Sequence, residues 1–340
     1  MKEDKERILI YLLQLIDRDD MDYAKKTVKA FPVSTSTVYN YVAKMIKNGD
    51  LARDPKRKTG LLLPSRHHTF SYCTDKPLSE DRVFLSSIKP LISALPKNVY
   101  EIWNYCFTEM MNNAIEHSSA KKITCEVEIN RLETKIAIVD DGIGIFKNIR
   151  DYLLATTGED VPEEECPGYL FAGRFTTAKE RHSGEGVFFT SHLLDQLIIV
   201  SSGIVFSRND FTDVQRVFTI KKMRGTAVYM ALSNTSAKTA EEVFSRFSDA
   251  DNGFNKTEIP MAHLFPNGYP VSRSEARRLF GMIQKFQDVT LDFANVENVG
   301  QAFVHEFFLI LSPQNPNVTI TLQNVSDKVA AMISRVKNTL

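Results

Sequence analysis

A carboxylate, an amide and an imidazole recur at every fourth position in one short stretch of the chain. Glu109, Asn113 and His117 have this spacing within residues 107–118. Side chains four residues apart share one face of a helix, so we expect all three to point the same way. The apolar residues of the stretch fall on the opposite face: Phe107, Met110, Met111 and Ala114. The pattern predicts a helix that buries one side and presents proton-accepting and ligand-binding groups on the other, with Glu116 a solvated neighbour.

Three glycine-containing segments follow further along the chain. They are Asp140-Asp141-Gly142-Ile143-Gly144, Gly184-Glu185-Gly186 and Gly225-Thr226. Glycine lets a backbone pass close to a ligand and adopt torsions that other residues avoid. Backbone amides at the start of a helix bind anions, and we expect such a helix over 187–194.

In this order the helix and the glycine segments resemble the ATP-binding domain of the GHKL superfamily, which includes gyrase, a heat-shock chaperone, histidine kinases and mismatch-repair ATPases. The resemblance implies that the Asn113 amide is a ligand of Mg²⁺, which takes few protein oxygens beside phosphates. It implies that Glu109 orients or deprotonates the attacking water or hydroxyl. Histidine kinases usually have Asn at this position, whereas ATPases and anti-sigma serine kinases have Glu.

The resemblance also assigns residues to the base and the phosphates of ATP. Asp140 would accept a hydrogen bond from the adenine amino group, supported by the Thr226 hydroxyl, and Gly142 and Gly144 would lie beside the base. Gly184 and Gly186 would contact phosphates. Two interpretations of His117 remain open, a nucleotide contact and a cap on helix carbonyls.

A long interruption over 146–183 takes the place of the family's mobile ATP lid. It is rich in Gly, Thr and acidic residues. The candidates for γ-phosphate contacts there are Arg174, Lys179 and Arg181.

The composition is that of an ordinary globular protein. The 340 residues are 43% hydrophobic and 25% charged, and the formal net charge is zero. No apolar run approaches the roughly 20 residues of a membrane span, and the charged start gives no signal-peptide core. Four scattered cysteines show no metal-type pairing. We therefore expect a reduced cytoplasmic protein without a membrane contact.

The N-terminal region carries a local excess of positive charge. Residues 23–66 hold ten Lys or Arg against two acidic residues. Apolar spacing predicts helices over 5–17, 23–31 and 35–48, and a basic hairpin over 51–63. Together these resemble a winged helix-turn-helix, which implies DNA binding; the alternative is dimerisation or protein docking. The DNA-binding candidates are Thr35, Ser36, Tyr39, Asn40, Lys44, Arg53, Lys56, Arg57 and Lys58.

The sequence predicts a multidomain α/β protein. The expected units are a winged helix (1–65), a connector with one short helix (66–98), an α/β-sandwich GHKL core (99–235) and a small α/β layer domain (236–340). The last unit resembles a STAS-like domain through Val289–Phe293 and the helix that opens at Gln301. STAS antagonists of sigma regulation have a phosphorylatable hydroxyl at this turn, whereas Asn298-Val299-Gly300-Gln301 has none. We expect this unit to bind a protein partner or to self-associate.

Three functions fit these features. The first is a regulator whose Mg-ATP binding or hydrolysis controls DNA or partner binding. The second is a serine/threonine kinase of the anti-sigma type, acting on a partner or on its own C-terminal unit, with Ser272, Ser274 and Ser312 available. The third is a non-enzymatic adaptor that uses ATP as a structural ligand. Histidine kinase activity is disfavoured, because His67 and His68 do not lie on a long dimerising helix pair.

Overall fold

A computed structural model describes residues 2–158, 160–173, 175, 184–209, 214–219, 221, 223–249, 253–265 and 268–338. Helices and strands alternate over these residues and form three units around separate sheets. The α/β fold class expected from the sequence is confirmed. No helix within the described ranges is long and apolar enough to cross a lipid bilayer.

The N-terminal unit consists of three helices and a two-stranded hairpin. The elements are α1 (Lys2–Asp17), α2 (Tyr23–Ala30), α3 (Thr35–Asn48), β1 (Ala52–Arg53) and the antiparallel β2 (Leu61–Leu62). Ser34 caps α3 by accepting a hydrogen bond from the Thr37 amide at 3.2 Å. Side chains from the helices and the hairpin form a local core, among them Leu12, Ile16, Val38, Met45 and Leu61. The expected helices and hairpin are therefore present.

The central unit is built on a seven-stranded sheet that is antiparallel throughout. Its order is β3-β4-β5-β9-β6-β7-β8. The strands are β3 (Arg66–Cys73), β4 (Lys122–Ile129), β5 (Glu133–Asp140), β6 (Gln196–Ser201), β7 (Ile204–Asn209), β8 (Val214–Thr219) and β9 (Thr226–Ser233). The end of β5 and the start of β9 lie side by side, since Val139 pairs with Ala227.

Helices cover one face of this sheet. They are α4 (Glu80–Val83), which continues through a π-helical turn (Phe84–Ile88) into α5 (Lys89–Ile92), α6 (Lys97–Glu116), α7 (Ile145–Thr157), α8 (Cys166–Ala172), preceded by a 3₁₀ turn (Glu163–Glu165), and α9 (Gly186–Leu193). The long helix α6 packs through fully buried side chains that include Trp103 and Phe107. Burial of this apolar face fixes which side of α6 is left for a ligand.

The expected connector over 66–98 is wrong in its first part. Residues 66–73 form β3, which pairs along its whole length with β4, so they belong to the central sheet. Phe70 and Tyr72 pack on the core while the alternate residues are exposed. An edge strand buries only one face and pairs on one side, which leaves a weak apolar pattern in the sequence.

The C-terminal unit is a parallel sheet with helices between its strands. The strands are β12 (Lys256–Pro260), β13 (Asp288–Asp292) and β14 (Thr319–Gln323), in that order. A helix α10 (Ala240–Phe247) and a hairpin of β10 (Ser248–Asp249) and β11 (Gly253–Phe254) precede them. The helices are α11 (Met261–Leu264), α12 (Arg273–Ile283), α13 (Gln301–Val304), which runs through a π-helical segment (His305–Leu311) into α14 (Ser312–Gln314), and α15 (Asp327–Lys337). The expected α/β layer is present, with β12 and α10 in addition.

Candidate functional site

One cavity on the helix-covered face of the central sheet brings together most of the residues singled out by the sequence. Its volume is about 230 Å³, and α6, β5, α7, α9 and β9 surround it. Its lining includes Glu109, Asn113, His117, Asp140, Gly184, Gly186 and Thr226. Gly142 and Gly144 lie in the loop between Asp140 and α7. Residues that are far apart in the chain, from Glu109 to Thr226, thus converge on one space.

Helix α6 presents its polar face to the cavity, as the four-residue spacing predicts. Met110 and Ala114, which were expected on the opposite face, line the cavity as well. Glu109 and Asn113 line it from successive turns. His117 is the C-cap of α6; its amide donates to the Asn113 carbonyl at 3.1 Å. His117 also lines the cavity, and its own carbonyl accepts a hydrogen bond from the Asn148 side chain at 3.3 Å. His117 therefore caps α6 through its backbone and lines the cavity, while its contact with a nucleotide stays a prediction.

Asp140 is a buried carboxyl held by the backbone. The Gly142 amide donates to Asp140 Oδ1 at 2.8 Å, and the Thr226 amide donates to the same oxygen at 3.3 Å. Burial raises the pKa of Asp140 above its usual value, and the two amide hydrogen bonds act in the opposite direction. Because both bonds end on Oδ1, the carboxyl group has a fixed orientation at the cavity wall.

The Thr226 hydroxyl has a different role from the one expected. Its backbone amide, and not its hydroxyl, contacts Asp140. The hydroxyl accepts a hydrogen bond from the Ile145 amide at 3.0 Å, which ties the start of α7 to β9. It also lies 3.5 Å from the hydroxyl of Ser201, a fully buried residue whose own hydroxyl donates to the Gly225 carbonyl. Strand register pairs Ser201 with Thr226, and this neighbour was missed because register is not visible in the sequence.

Gly142 lies where no side chain fits. A Cβ at this position would lie 2.0 Å from the Ser118 carbonyl oxygen, far inside van der Waals contact. The next residue, Ile143, donates its amide to that same carbonyl at 2.8 Å. The loop after β5 is therefore pressed against the end of α6, which brings Asp140 and the α6 residues into one site.

Gly186 and Glu109 are in direct contact at the other end of the cavity. A Cβ on Gly186 would lie 2.0 Å from Glu109 Oε2, so a side chain at this position would displace the carboxylate. Gly186 is the first residue of α9, and a helix N-terminus favours negative charge. Burial, and secondarily the charge of Glu109, raises the pKa of Tyr105, one turn earlier on α6. A carboxylate thus lies beside the N-terminal end of a helix.

Much of the expected interruption over 146–183 is helical. Residues 145–157 form α7 and 166–172 form α8. The apolar spacing of Phe146, Ile149 and Leu153 was a helical signal that could have been recognised. Arg174, Lys179 and Arg181, the candidates for phosphate contacts, lie outside the described residues.

The cavity lining also includes residues that were not anticipated, among them Asn148 of α7, Leu170 of α8 and Phe175. Asn148 has a recognisable signal, because it lies one turn into a helix that begins directly after the Asp-Gly-rich loop. Leu170 and Phe175 are apolar residues of a variable segment, and only the fold brings them to the cavity. The Phe175 ring packs edge-on against Tyr169 at 5.2 Å and Tyr152 at 5.9 Å.

The DNA-binding candidates of the N-terminal unit divide into two groups. The exposed ones lie on α3 and the hairpin: Thr35, Ser36, Tyr39, Asn40, Lys44, Arg53, Lys56 and Lys58. Arg57 is an exception and corrects the expectation. Its guanidinium donates to the carbonyls of Ile16 at 2.7 Å and Asp17 at 2.5 Å, at the end of α1. Arg57 is thus engaged in holding the hairpin to α1.

Asp19 completes this attachment and was not singled out by the sequence. Its carboxylate accepts hydrogen bonds from the Lys58 and Thr59 amides, each at 3.0 Å. These amide bonds lower the pKa of Asp19 to about 2. The hairpin is therefore fixed relative to the three helices by one carboxylate and one guanidinium.

Comparison with known families assigns two parts of the chain. Residues 102–236 match the family described as histidine kinase-, DNA gyrase B-, and HSP90-like ATPase. Residues 275–330 match the family described as STAS-like domain of unknown function (DUF4325). No curated protein matches the chain. The protein thus contains a GHKL-type ATPase domain, on which the cavity lies, and a STAS-like domain, as the sequence analysis expected.

Proposed function

We propose that this protein is an ATP-dependent regulator in which Mg-ATP, bound in the cavity of the GHKL-type domain, controls what the flanking units bind. The observation that carries the proposal is the convergence of Glu109, Asn113 and Asp140 on one cavity inside the segment that matches the ATPase family. The cavity has a different donor and acceptor set at each end, as an adenine at one end and a phosphate chain at the other require.

The Asp140 end is suited to the adenine base. Two backbone amides engage Oδ1, and among the described contacts Oδ2 remains an acceptor for the exocyclic amino group. The surrounding Ile138, Ile199 and Val228 give an apolar wall for the ring. A buried acceptor that meets its donor discriminates strongly against bases that lack the amino group, because an unpaired buried polar group is costly.

The Glu109 end is suited to the phosphates. Gly184 and Gly186 bring backbone amides to the start of α9, and the adjacent Glu109 carboxylate can take a proton from an attacking water or hydroxyl. General-base action of this kind contributes about 10²–10⁴-fold in rate.

The site fits Mg²⁺ through a neutral donor. Across the described residues no group of three or more His, Cys, Asp or Glu side chains forms a metal site of its own. The Asn113 amide oxygen, together with phosphate oxygens and water, is the donor set that Mg²⁺ takes in nucleotide sites. The metal, when bound, neutralises phosphate charge, while Asn113 holds it next to Glu109.

The direct test uses γ-labelled ATP and Mg²⁺, with free phosphate and protein-bound label measured in parallel. Glu109→Gln is expected to remove product formation about 10²-fold or more while ATP still binds. Glu116→Gln is the matched control, because Glu116 is an exposed glutamate on the same helix outside the cavity lining. Free phosphate that depends on Glu109 supports an ATPase-driven regulator. If neither Glu109→Gln nor the control Glu116→Gln binds ATP, the proposal is refuted.

A serine/threonine kinase is the second candidate, favoured by the combination of Glu109 with a STAS-like match in the same chain. Stable label on the protein would support it. The hydroxyls of Ser272 and Ser274 lie 2.9 Å apart at the start of α12, where Ser272 caps the helix. If ATP binds and stabilises the fold but neither product forms, the non-enzymatic adaptor is the remaining function.

We propose that the N-terminal unit binds DNA and that ATP regulates this binding. Its exposed basic side chains on α3 and the hairpin support this, since phosphate contacts require accessible Lys or Arg. Lys56→Ala with Lys58→Ala should weaken binding to duplex DNA and reduce its salt dependence, whereas Arg57→Ala should lower the stability of the unit. Anisotropy titrations at two salt concentrations, with and without ATP, measure both. Salt-independent or absent DNA binding would leave protein docking as the role of this unit.

A further inference from the structure

One aromatic side chain of the C-terminal region touches both sides of the segment that leads from α8 to α9. The ring of Phe254 lies 4.8 Å from the rings of Phe188 and Phe189, in the first turn of α9. A Cβ on Gly173, the residue after α8, would lie only 2.7 Å from Phe254 Cζ. Phe254 is itself buried and stacks edge-on against Phe286, which leads into the STAS-like sheet.

Polar contacts across the same junction hold α8. The Thr257 hydroxyl of β12 donates to the Ala172 carbonyl at 2.8 Å, in a buried position. Arg278 of α12 forms an ion pair with Glu165 at 2.9 Å, and only 21% and 13% of the two side chains is exposed. Solvent screens an ion pair with so little exposure only weakly. Removal of either partner therefore leaves the other charge without compensation.

Helix α8 also forms part of the nucleotide cavity. Leu170 lines the cavity, while Gly168, two residues earlier, lies against Leu264 and Met282 of the C-terminal unit. Opposite sides of one short helix therefore face the ligand and the STAS-like domain. A ligand that fills the cavity therefore contacts the same helix, α8, against which the C-terminal unit packs.

We propose that the STAS-like domain and the nucleotide site are reciprocally coupled through α8 and Phe254. The inference rests on the proposed function, since it requires that the cavity binds ATP, and it names the device that regulates this site. Nucleotide binding restrains α8 and, through it, α12 and β12. A protein partner that displaces the STAS-like domain loosens α8 and weakens ATP binding by the same factor, because coupling between two sites is symmetric.

The test compares two neighbouring arginines of one helix. Arg278→Gln removes the ion pair across the junction, whereas Arg277→Gln removes an ion pair with Glu306 inside the C-terminal unit. The non-hydrolysable analogue AMP-PNP with Mg²⁺ is titrated calorimetrically into each full-length protein. Arg278→Gln is expected to weaken AMP-PNP binding about threefold or more, and Arg277→Gln to leave it unchanged.

Hydrogen exchange supplies the second readout. AMP-PNP is expected to slow amide exchange in α12 and β12 of the wild type and of Arg277→Gln, and this slowing is lost in Arg278→Gln. Thr257→Val removes only the hydroxyl that reaches Ala172 and should act in the same direction; Thr321→Val, at an exposed position on β14, is its control.

Two results overturn the coupling while the proposed function stands. One is AMP-PNP binding without any change of exchange in α12 and β12, and the other is equal affinity of the two arginine variants. If AMP-PNP does not bind the wild type, the proposed function fails first and the coupling fails with it.

Discussion

The N-terminal and C-terminal units are attached to the central sheet in different ways. The three-helix unit buries its own apolar cluster, and its contacts with the central unit include a Glu6–Arg131 ion pair and the packing of Leu132 on that cluster. The apolar side chains of the C-terminal unit instead join those of the central unit in one continuous cluster. A unit with a separate core can move or unfold alone, whereas units that share a core respond together.

The largest expected loss of stability comes from truncating one buried side chain in the C-terminal unit and one in the N-terminal unit. Phe254→Ala should cost about 3–5 kcal/mol and weaken AMP-PNP binding, since the shared core loses its ring contacts with α9. Leu12→Ala, fully buried in α1, should cost about 2–5 kcal/mol in the N-terminal unit alone. Denaturation followed by hydrogen exchange, with calorimetric titration of AMP-PNP, separates the two. Weakened AMP-PNP binding in Leu12→Ala would contradict the separation of the N-terminal unit.

The nucleotide itself should distinguish the units next. AMP-PNP at 100 times its dissociation constant should stabilise the central and C-terminal units together by about 2.7 kcal/mol and leave the N-terminal amides unaffected. Asp140→Asn should abolish this, while Asp288→Asn, exposed on β13, should not.

The same carboxyl predicts a pH dependence. Since burial raises the pKa of Asp140, its charged form is lost at a higher pH than in an ordinary aspartate, and AMP-PNP affinity should fall on acidification from that higher pH. Asp288→Asn should show the same pH dependence as the wild type, and an affinity that stays constant on acidification would contradict the prediction.

The attachment of the N-terminal hairpin to the helices should weaken at acidic pH. The pKa of Asp19 is about 2 in the folded protein against an ordinary value of 3.8. Its contribution to stability is therefore complete above about pH 3.8 and is lost as the pH falls towards 2. Exchange of the Thr59 amide, followed against pH, should lose this dependence in Asp19→Asn. Asp17→Asn should retain it, because Arg57 uses the backbone carbonyl of Asp17.

The smallest effect is expected for the ion pair between the units. Glu6 and Arg131 are each about half exposed, at 47%, so a double-mutant cycle with Glu6→Gln and Arg131→Gln should give a coupling energy of about 0–1 kcal/mol. A larger value would show that the N-terminal unit is held more firmly than its separate core suggests.

Strongly patterned elements were predictable from sequence. Helix α6, strands β4 and β5 and helix α12 follow from apolar periodicity, because each buries one complete face. The missed strands include β3, β7 and β12. Of these, β3 and β12 lie at sheet edges and contain polar residues such as His67 and Lys256. The spacing of apolar residues alone does not show which weakly apolar segment forms the edge strand of a sheet.

The candidate site was predictable in its residues and less so in their partners. Glu109, Asn113 and Asp140 could be identified by type, spacing and resemblance. The exchange of roles between the Thr226 amide and hydroxyl, and the involvement of Ser201, depend on strand register. Arg57 was misjudged because its charge suggests DNA, whereas its position against the end of α1 is known only from the fold.

The position of Phe254 has a practical consequence for dividing the chain into fragments. A piece cut at the family boundaries, 102–236, loses β3 from the sheet edge and the rings that cover Phe188 and Phe189. The exposed strand edge and aromatic surface would favour aggregation. A piece that begins at Arg66 and runs through α15 retains both β3 and the rings that cover Phe188 and Phe189.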